Sequence, residues 1–175
     1  MIILITGTPG TGKTAVSELL AKNTGTGILK ISDFATDDVT EGAEGETRIV
    51  NIEKLESKIK GHISGRAIIE GHLSHLMRIG DLVVVLRTDP GVLERRLEKK
   101  GFDEKKIREN LEAEALDVCL IESLERHKNT FEIDTTDKRP EEVVGDILKI
   151  IDGRGEEFRP GKIDWSEIFF NVKVK

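Results

Sequence analysis

The chain has 175 residues, of which 37% are hydrophobic and 34% charged, and its formal net charge is −6. These values predict one globular domain with a densely charged surface, and the acidic balance argues against bulk nucleic-acid binding while slightly favouring a basic protein partner. No apolar run reaches the length of a membrane span, and we expect no signal peptide before the first strand. The single Cys119 excludes an internal disulfide and fits a reducing compartment, so we expect a cytoplasmic protein.

The first thirty residues contain the strongest motif of the chain. The apolar run Ile2–Ile5 is predicted to be a buried strand, and a helical pattern covers residues 15–22. Between them, segment 7–14 has the sequence GTPGTGKT and matches G-x-x-x-x-G-K-[ST] at every fixed position. Glycines let backbone N–H groups converge, and the start of a helix adds a positive end, so the segment is predicted to be a phosphate-binding loop.

This phosphate-binding loop predicts ligands for a nucleoside triphosphate and its metal. Gly10 and Gly12 expose backbone N–H groups, and Lys13 supplies a mobile cation for the β- and γ-phosphates. The Thr14 hydroxyl can ligate Mg²⁺. The motif is shared by proteins that bind different nucleoside triphosphates, and it leaves the acceptor of the phosphate open.

Further along the chain, the predicted elements alternate between strand and helix. Strands are predicted at 28–31, 67–70, 82–86 and 130–134, and helices at 51–60, 88–100, 103 to about 127, and 140–151. Residues 36–48 are acidic and glycine-bearing, which predicts a mobile, solvated segment. Five strands with long connections predict an α/β fold, with a five-stranded parallel sheet and helices on both faces. Ligands of such sheets bind at the carboxyl ends of the strands.

The tail, residues 153–175, differs in composition from the rest. Gly153, Gly155 and Pro160 interrupt any helix here. The same segment contains the only tryptophan of the chain and half of its six phenylalanines. We expect this aromatic tail to dock on the domain or on a partner.

Two side chains at the end of the third strand are candidates for chemistry at the phosphates. Glu70 ends a buried apolar strand, where an unpaired carboxylate is costly, so we interpret it as the acid that holds Mg²⁺ directly or through water. The alternative is a carboxylate that caps backbone groups or pairs with an arginine. His72 can orient a water or a phosphate, or it is an ordinary surface histidine, and the sequence leaves both interpretations open.

A basic segment lies between residues 94 and 108, where seven lysines and arginines are interleaved with three glutamates. Solvated helices with i,i+4 ion pairs explain part of this pattern. Arg96 shares a helical face with Val92 and Leu93, so its guanidinium is expected to extend towards a site. With Gly101 as a hinge, the segment predicts a cationic flap that stabilises charge on a transferring phosphoryl group.

Together these motifs resemble one family. Segments 7–14, 70–72, 85–89 and 101–107 are similar to those of the small adenylate kinases of the isoenzyme 6 type, found in archaea and eukaryotes, and the resemblance spans about residues 1 to 152. It implies a nucleoside-monophosphate kinase fold, adenylate kinase and ATPase activities with ATP and Mg²⁺, and a role in maturation of the small ribosomal subunit. It also implies contact with a basic small-subunit ribosomal protein.

The resemblance also implies roles for segments and residues of this chain. Residues near 30 to 53 would form a monophosphate-binding segment, and residues near 99 to 109 a short lid. The residues implied to bind ATP are Gly10, Gly12, Lys13, Thr14 and Ala15, with Lys100 at the position of the family's lid arginine. The family's acid-x-His motif falls on Glu70 and His72. With Lys13 of the loop and Arg96, which is inferred from its helical face and not from the resemblance, these residues form the predicted catalytic set.

Departures from the family pattern concern mainly the acceptor. Thr36 stands where an arginine is expected, so Arg48 or Arg78 would have to contact the monophosphate, and Asp33 would help to frame it. Lys100 keeps the charge of the family's arginine but loses its bidentate fork. The motif acid is often aspartate in eukaryotic members, and the tail from Gly153 lies outside the resemblance.

Three functions remain open from the sequence. The first is transfer of a phosphoryl group from Mg·ATP to a nucleoside monophosphate, with AMP preferred, by in-line displacement. The second is a ribosome-assembly ATPase that switches its affinity for a basic ribosomal protein, with the acidic stretch 37–46 as partner surface. The third is a kinase for another small metabolite, because a fold does not determine its substrate.

Overall fold

The computed structural model describes residues 1–44 and 47–168, with the backbone alone at residues 43, 44, 47 and 48. The strands of this part are β1 (Ile2–Thr6), β2 (Gly27–Lys30), β3 (Thr40–Glu44), β4 (Thr47–Val50), β5 (Ala67–Glu70), β6 (Leu82–Arg87) and β7 (Thr130–Asp134). The helices are α1 (Lys13–Thr24), α2 (Ile31–Phe34), α3 (Ile52–Lys60), α4 (Pro90–Lys99), α5 (Glu104–Ala115), α6 (Val118–Arg126) and α7 (Pro140–Ile151). None of these helices combines the length and the apolar character that a membrane crossing requires.

Five strands form a parallel sheet in the order β2-β5-β1-β6-β7. β1 lies in the centre, with Ile5 opposite Glu70 of β5 and Thr6 opposite Val85 of β6. Because all five strands run in the same direction, their carboxyl ends meet at one edge, where parallel sheets bind their ligands. The predicted five-stranded parallel sheet is confirmed.

Two apolar layers cover the sheet, because successive residues of a strand face opposite sides. In β1, Ile3 and Ile5 pack in the layer that holds α1 and α7, whereas Leu4 packs in the layer that holds α3 and α6. Each fully buried side chain of this kind stabilises the fold by about 1.5–3 kcal/mol. The central strands are covered on both faces, which explains why all six residues of β6 are buried.

The segment 36–48 has more regular structure than its composition predicts. A short 3₁₀ turn over Asp37–Val39 leads into β3 and β4, which pair as an antiparallel hairpin. The buried Val39 anchors the hairpin on the domain, and β-branched residues at 47–50 favour the second strand. Residues 36–38, 41 and 42 are exposed, as predicted for a solvated segment, but the hairpin shows that the segment is more ordered in its backbone than a structureless loop. Residues 45 and 46 lie outside the described part of the chain.

The long helix predicted from Asp103 to about His127 is two helices. α5 ends at Ala115 and α6 begins at Val118, with Asp117 between them in the left-handed region at φ 56°. Aspartate tolerates this conformation better than most residues, and here its carboxylate forms an ion pair with the buried Arg87. No glycine or proline marks the break, because its cause is a contact made by the tertiary structure.

The tail docks on the domain as far as residue 168. A 3₁₀ turn at Glu156–Phe158 inserts Phe158 into the layer that holds α7, and the Arg159 guanidinium lies 4.5 Å from the ring centre of Phe131. The backbone N–H groups of residues 161 and 162 then donate to the buried Glu132 carboxylate. Phe169 and Phe170, which belong to the predicted aromatic cluster, lie outside the described residues.

Candidate active site

A cleft of about 1490 Å³ opens at the carboxyl edge of the sheet, next to the first turn of α1. Its walls come from the phosphate-binding loop, the start of α2, the residues after β5, the turn between α4 and α5, and the loop after β7. Position and motif therefore coincide, because ligands of parallel α/β sheets occupy this edge.

The backbone of the phosphate-binding loop requires glycine at defined positions. Gly7, Gly10 and Gly12 have φ values of 134°, 98° and 94°, which residues with a Cβ rarely adopt. A Cβ on Gly7 would lie 2.4 Å from the Leu86 carbonyl oxygen, and one on Gly10 would lie 2.7 Å from Leu93 Cδ1. Gly12 precedes α1 and has no side chain to occupy the N–H groups of its first turn, so these groups can bind an anion.

Lys13 lies inside this loop. Its Nζ donates to the carbonyl oxygens of Gly7 at 2.8 Å and Thr8 at 3.0 Å, and its side chain is buried. Burial lowers the pKa of the Lys13 ammonium to about 8, although the carboxylates of Glu70 and Glu114 oppose this effect. A buried cation of this kind is favoured by a bound anion, as the predicted role in phosphate binding requires.

Thr14 and Glu70 meet beside Lys13 at the carboxyl edge of the sheet. The Thr14 hydroxyl donates to Glu70 Oε1 at 3.2 Å, and both residues line the cleft. A hydroxyl and a carboxylate are hard oxygen ligands that suit Mg²⁺. Among residues 1–44 and 47–168, no three His, Cys, Asp or Glu side chains converge on a metal position.

His72 lies at the mouth of the cleft, two residues beyond Glu70. His72 is exposed at this mouth, but desolvation by the surrounding residues and the charge of the nearby Lys13 lower the pKa of the imidazole to about 4. His72 is therefore neutral at pH 7 and can donate to or accept from a water or a phosphate without adding charge.

Arg96 extends from α4 into the site, but its guanidinium is occupied by protein oxygens. Nη2 donates to the carbonyl oxygens of Thr135 at 3.0 Å and Thr136 at 3.1 Å. Nη1 donates to the Thr88 hydroxyl at 3.3 Å and lies 3.5 Å from the Gly10 carbonyl oxygen. Arg96 thus ties the loop after β7 to the phosphate-binding loop.

The turn between α4 and α5 supplies the basic rim of the cleft. Gly101, at φ 76°, ends α4, and Asp103 caps α5 by accepting from the Lys106 N–H at 2.8 Å. Lys99, Lys100 and Lys106 line the cleft here, and Ala15 lines it from the first turn of α1. The positive charge of Lys100 also contributes to lowering the pKa of Lys13.

Sequence comparison places the chain among known proteins. A family model described as an AAA domain matches residues 3–117. Relatives named "Putative adenylate kinase" from Thermococcus gammatolerans and Pyrococcus furiosus are 42% and 43% identical to it, over 98% of this chain and 97% and 95% of theirs. The chain belongs to this adenylate kinase family.

Solved structures show the same fold at lower identity. The shikimate kinase from Acinetobacter baumannii in complex with shikimate superposes with a TM-score of 0.63 at 18% identity, over 89% of this chain and 94% of that one. The YorR protein from Bacillus subtilis in complex with phosphorylated GDP superposes with a TM-score of 0.61 at 16% identity, over 87% of this chain and 96% of that one. The family therefore has the fold of the phosphate-binding-loop kinases, and kinase-named relatives support a phosphotransferase.

Two of the three candidates for contacting the acceptor, Asp33 and Arg78, lie outside the lining of the cleft. Asp33 is exposed on α2 beside Ser32, and the exposed Arg78 is bonded through its backbone N–H to Glu56 of α3. Neither residue lines the cleft. The side chain of Arg48, in β4, lies outside the described residues.

Lys30, which sequence reasoning missed, lines the cleft on the acceptor side. It is the last residue of β2, and its Nζ forms an ion pair with Glu18 at 2.6 Å, which raises the pKa of the Lys30 ammonium. Its position at the carboxyl end of a predicted strand was a usable signal, because such ends face the ligand edge.

A buried histidine, His75, lines the cleft and also escaped the sequence analysis. His75 Nδ1 is 2.7 Å from the Thr6 hydroxyl, and its Nε2 is 2.9 Å from Glu122 Oε2. Burial lowers the pKa of His75, and the Glu122 carboxylate opposes this effect. No local pattern identifies these partners, which are 69 and 47 positions away along the chain.

Glu114 makes a second buried contact with the loop. Its Oε2 accepts from the Thr8 hydroxyl at 2.5 Å, and its Oε1 accepts from Arg87 Nε at 2.8 Å. The signal in the sequence is its position between Leu111 and Ala115 on the apolar face of α5, because a carboxylate on such a face needs a partner.

Proposed function

We propose that this protein is an adenylate kinase that transfers the terminal phosphoryl group of Mg·ATP to AMP and forms two ADP. The observation that carries the proposal is that Lys13, Thr14 and Glu70 face one cleft, and that Lys30, beside Glu70 in the sheet, begins a second wall of the same cleft. A donor nucleotide and an acceptor placed on these two walls would meet at the phosphate-binding loop. The names of the relatives support AMP as the acceptor.

The donor would be held mainly by the loop and by Lys13. Backbone N–H groups of the loop and the first turn of α1 surround the β- and γ-phosphates, and Lys13 exchanges its carbonyl partners for phosphate oxygens. Mg²⁺, held by the Thr14 hydroxyl and by Glu70 directly or through water, supplies charge neutralisation and orientation for in-line transfer. Catalysis then rests on positioning and on electrostatic stabilisation.

The rim lysines would complete the site when the turn between α4 and α5 closes. Lys99, Lys100 and Lys106 lie on the cleft wall above the loop, where their charge favours the negative charge of the transferring phosphoryl group. Arg96 supports this arrangement indirectly, because its bonds to Thr135 and Thr136 hold the loop after β7 beside the phosphate-binding loop. Closure also excludes water, which competes with AMP for the phosphoryl group.

The acceptor would bind on the wall formed by β2 and α2. Lys30 provides a cation there, and Asp33, Arg48 and Arg78 stay candidates that would need the 30–53 segment to move towards the cleft. Such closure of a substrate-binding segment is common among kinases.

A panel of acceptors incubated with radiolabelled ATP tests the proposal. We expect AMP to be the best acceptor of the labelled phosphoryl group. The proposal would be contradicted if AMP did not increase ADP formation while shikimate or another metabolite became labelled.

A second activity, ATP hydrolysis, is supported by the neutral His72 beside Glu70. This histidine can position a water at the mouth of the cleft when no AMP is present. Measuring ADP formation with and without AMP separates the two activities, because a kinase accelerates with AMP and a pure ATPase does not. The link to small ribosomal subunit maturation through a basic ribosomal protein, and the cytoplasmic location, stay predictions from the sequence.

A further inference from the structure

The tail holds a buried carboxylate with its backbone. Glu132, in β7, is buried, and its Oε1 accepts from the N–H groups of Gly161 at 2.8 Å, Lys162 at 2.9 Å and Ile163 at 3.4 Å. Several backbone N–H groups directed at one carboxylate form an anion-binding concavity. The tail therefore supplies the donors that make a buried charge at Glu132 tolerable.

The same carboxylate continues into an ion-pair network around Arg87. Glu132 Oε2 lies 3.4 Å from Arg87 Nη1, and Arg87 donates to Glu114 through Nε to Oε1 at 2.8 Å and through Nη2 to the backbone oxygen at 2.9 Å. Arg87 also pairs with Asp117 at the break between α5 and α6. Arg87, Glu114 and Glu132 are all buried, so solvent and salt screen these contacts very little.

The network ends on the phosphate-binding loop. Glu114 Oε2 accepts from the Thr8 hydroxyl at 2.5 Å, and its Oε1 accepts from the Thr88 N–H at 3.0 Å. The backbone oxygen of Thr8 in turn accepts from Lys13 Nζ at 3.0 Å and from the Thr11 hydroxyl at 2.9 Å. Thr8 therefore links the two groups: its hydroxyl donates to Glu114, and its carbonyl oxygen accepts from Lys13.

We propose that Glu114 is a positioning residue for the phosphate-binding loop, and that the backbone of residues 161–163 maintains its position through Glu132 and Arg87. If the tail withdrew its three N–H groups, the Glu132 carboxylate would have Arg87 as its remaining charged partner. Arg87 would then shift towards Glu132 and away from Glu114, which would release Thr8. The inference rests on the proposed function, because it assigns the tail an effect on the affinity for Mg·ATP.

A double-mutant cycle on the full chain tests this connection. Thr8→Val removes the hydroxyl that Glu114 accepts from, and Glu132→Gln keeps an oxygen for the tail but places an amide beside Arg87. Each variant is expected to bind a non-hydrolysable ATP analogue with Mg²⁺ at least about 5-fold more weakly, as for loss of a buried hydrogen-bond partner. In the described part of the chain, Arg87 and Glu114 connect residues 8 and 132, so the double variant should fall short of the product of the single effects by about 2-fold or more.

Calorimetric titration gives the four dissociation constants of the cycle, and thermal melts show which variants are folded. Effects that multiply, or a Glu132→Gln variant that binds like the wild type, would overturn the inference while leaving the proposed function intact. Wild-type protein that fails to bind the analogue would instead overturn the proposed function.

A second pair of variants tests the tail without touching the buried charges. Lys162→Pro removes the backbone N–H that donates to Glu132, whereas Lys162→Ala removes the same side chain and keeps that N–H. The proline variant is expected to bind the ATP analogue at least about 2-fold more weakly than the alanine variant. Equal dissociation constants for the two variants would contradict a role for the tail backbone.

Discussion

The two walls of the cleft differ in how they are supported. The donor wall follows β1, the central strand of the sheet, and its loop contacts β6, α4 and α5 through Gly7, Gly10 and Thr8. The acceptor wall follows β2, an edge strand, and continues into a hairpin whose two strands pair only with each other. Strands in the centre of a sheet are held from both sides, whereas an edge is held from one.

This difference explains why one wall has a preformed site and the other does not. On the donor wall, buried contacts hold the loop in the geometry that phosphate binding needs, before any ligand is considered. On the acceptor wall, the candidate residues Asp33 and Arg78 are exposed and do not line the cleft. In the proposed function, the acceptor segment closes on its substrate in front of the donor site. Such closure suits phosphoryl transfer, because it excludes the water that would hydrolyse ATP.

The largest expected effect is at the centre of the donor wall. Lys13→Ala removes the cation that the loop holds, and we expect ADP formation to fall by at least about 100-fold, as when a group that stabilises developing charge is lost. A coupled assay of ADP formation measures this. The matched control is Lys22→Ala in the last turn of the same helix, where the lysine is exposed and should be dispensable. Activity within a few-fold of wild type for Lys13→Ala would exclude the loop from the mechanism.

The next prediction compares a glycine from each wall. Gly10→Ala places a Cβ 2.7 Å from Leu93 at φ 98°, and we expect it to lower the free energy of unfolding by about 1–3 kcal/mol. Gly42→Ala, in β3, meets nothing within 4 Å, and we expect a change of at most about 0.5 kcal/mol. Denaturant unfolding measures both, and equal costs would contradict the difference in support between the walls.

Two ionisable groups of the cleft, Lys13 on the donor wall and His72 at the mouth, should respond to different pH ranges. Lys13 has a pKa of about 8, so it loses its charge above that pH, and the dissociation constant for ATP should then rise by up to about tenfold per pH unit. His72 has a pKa of about 4, so its protonation should change the turnover number only in acid. Between pH 5 and 8, titration of Lys13 and His72 should therefore change the affinity for ATP and the turnover number only a little. Titrating ATP binding from pH 6 to 10 tests the Lys13 limb, and an affinity that stays constant across that range would contradict it.

The smallest expected effect lies in the hairpin. Lys58 Nζ bonds the Thr36 hydroxyl at 2.6 Å and both Asp38 oxygens at 2.9 Å, and thereby ties α3 to the turn before β3. Lys58→Ala should raise the KM for AMP about twofold, with the KM for ATP unchanged, because exposed ion pairs contribute little. The matched control is Lys60→Ala, whose partner Glu56 lies within α3. An equal change in both KM values would show that the hairpin does not act on the acceptor alone.

Much of the donor wall could be predicted because its signals are local. The spacing of Gly7, Gly10, Gly12, Lys13 and Thr14 specifies a loop conformation and a set of ligands within eight consecutive residues. Apolar runs and helical periodicity likewise predict the parallel strands, most clearly β5 and β6, in which every residue is buried. The family then follows from motifs of the same local kind.

The tertiary structure alone determined the contacts between residues that are far apart in the chain. The break at Asp117 depends on Arg87, and the position of Thr8 depends on Glu114, 106 positions away. The hairpin after Val39 and the exposed positions of Asp33 and Arg78 likewise depend on how segments pack. A sequence pattern describes which faces are apolar, but a buried charge is stable only beside the partner that folding brings to it, and that partner is known only when the fold is.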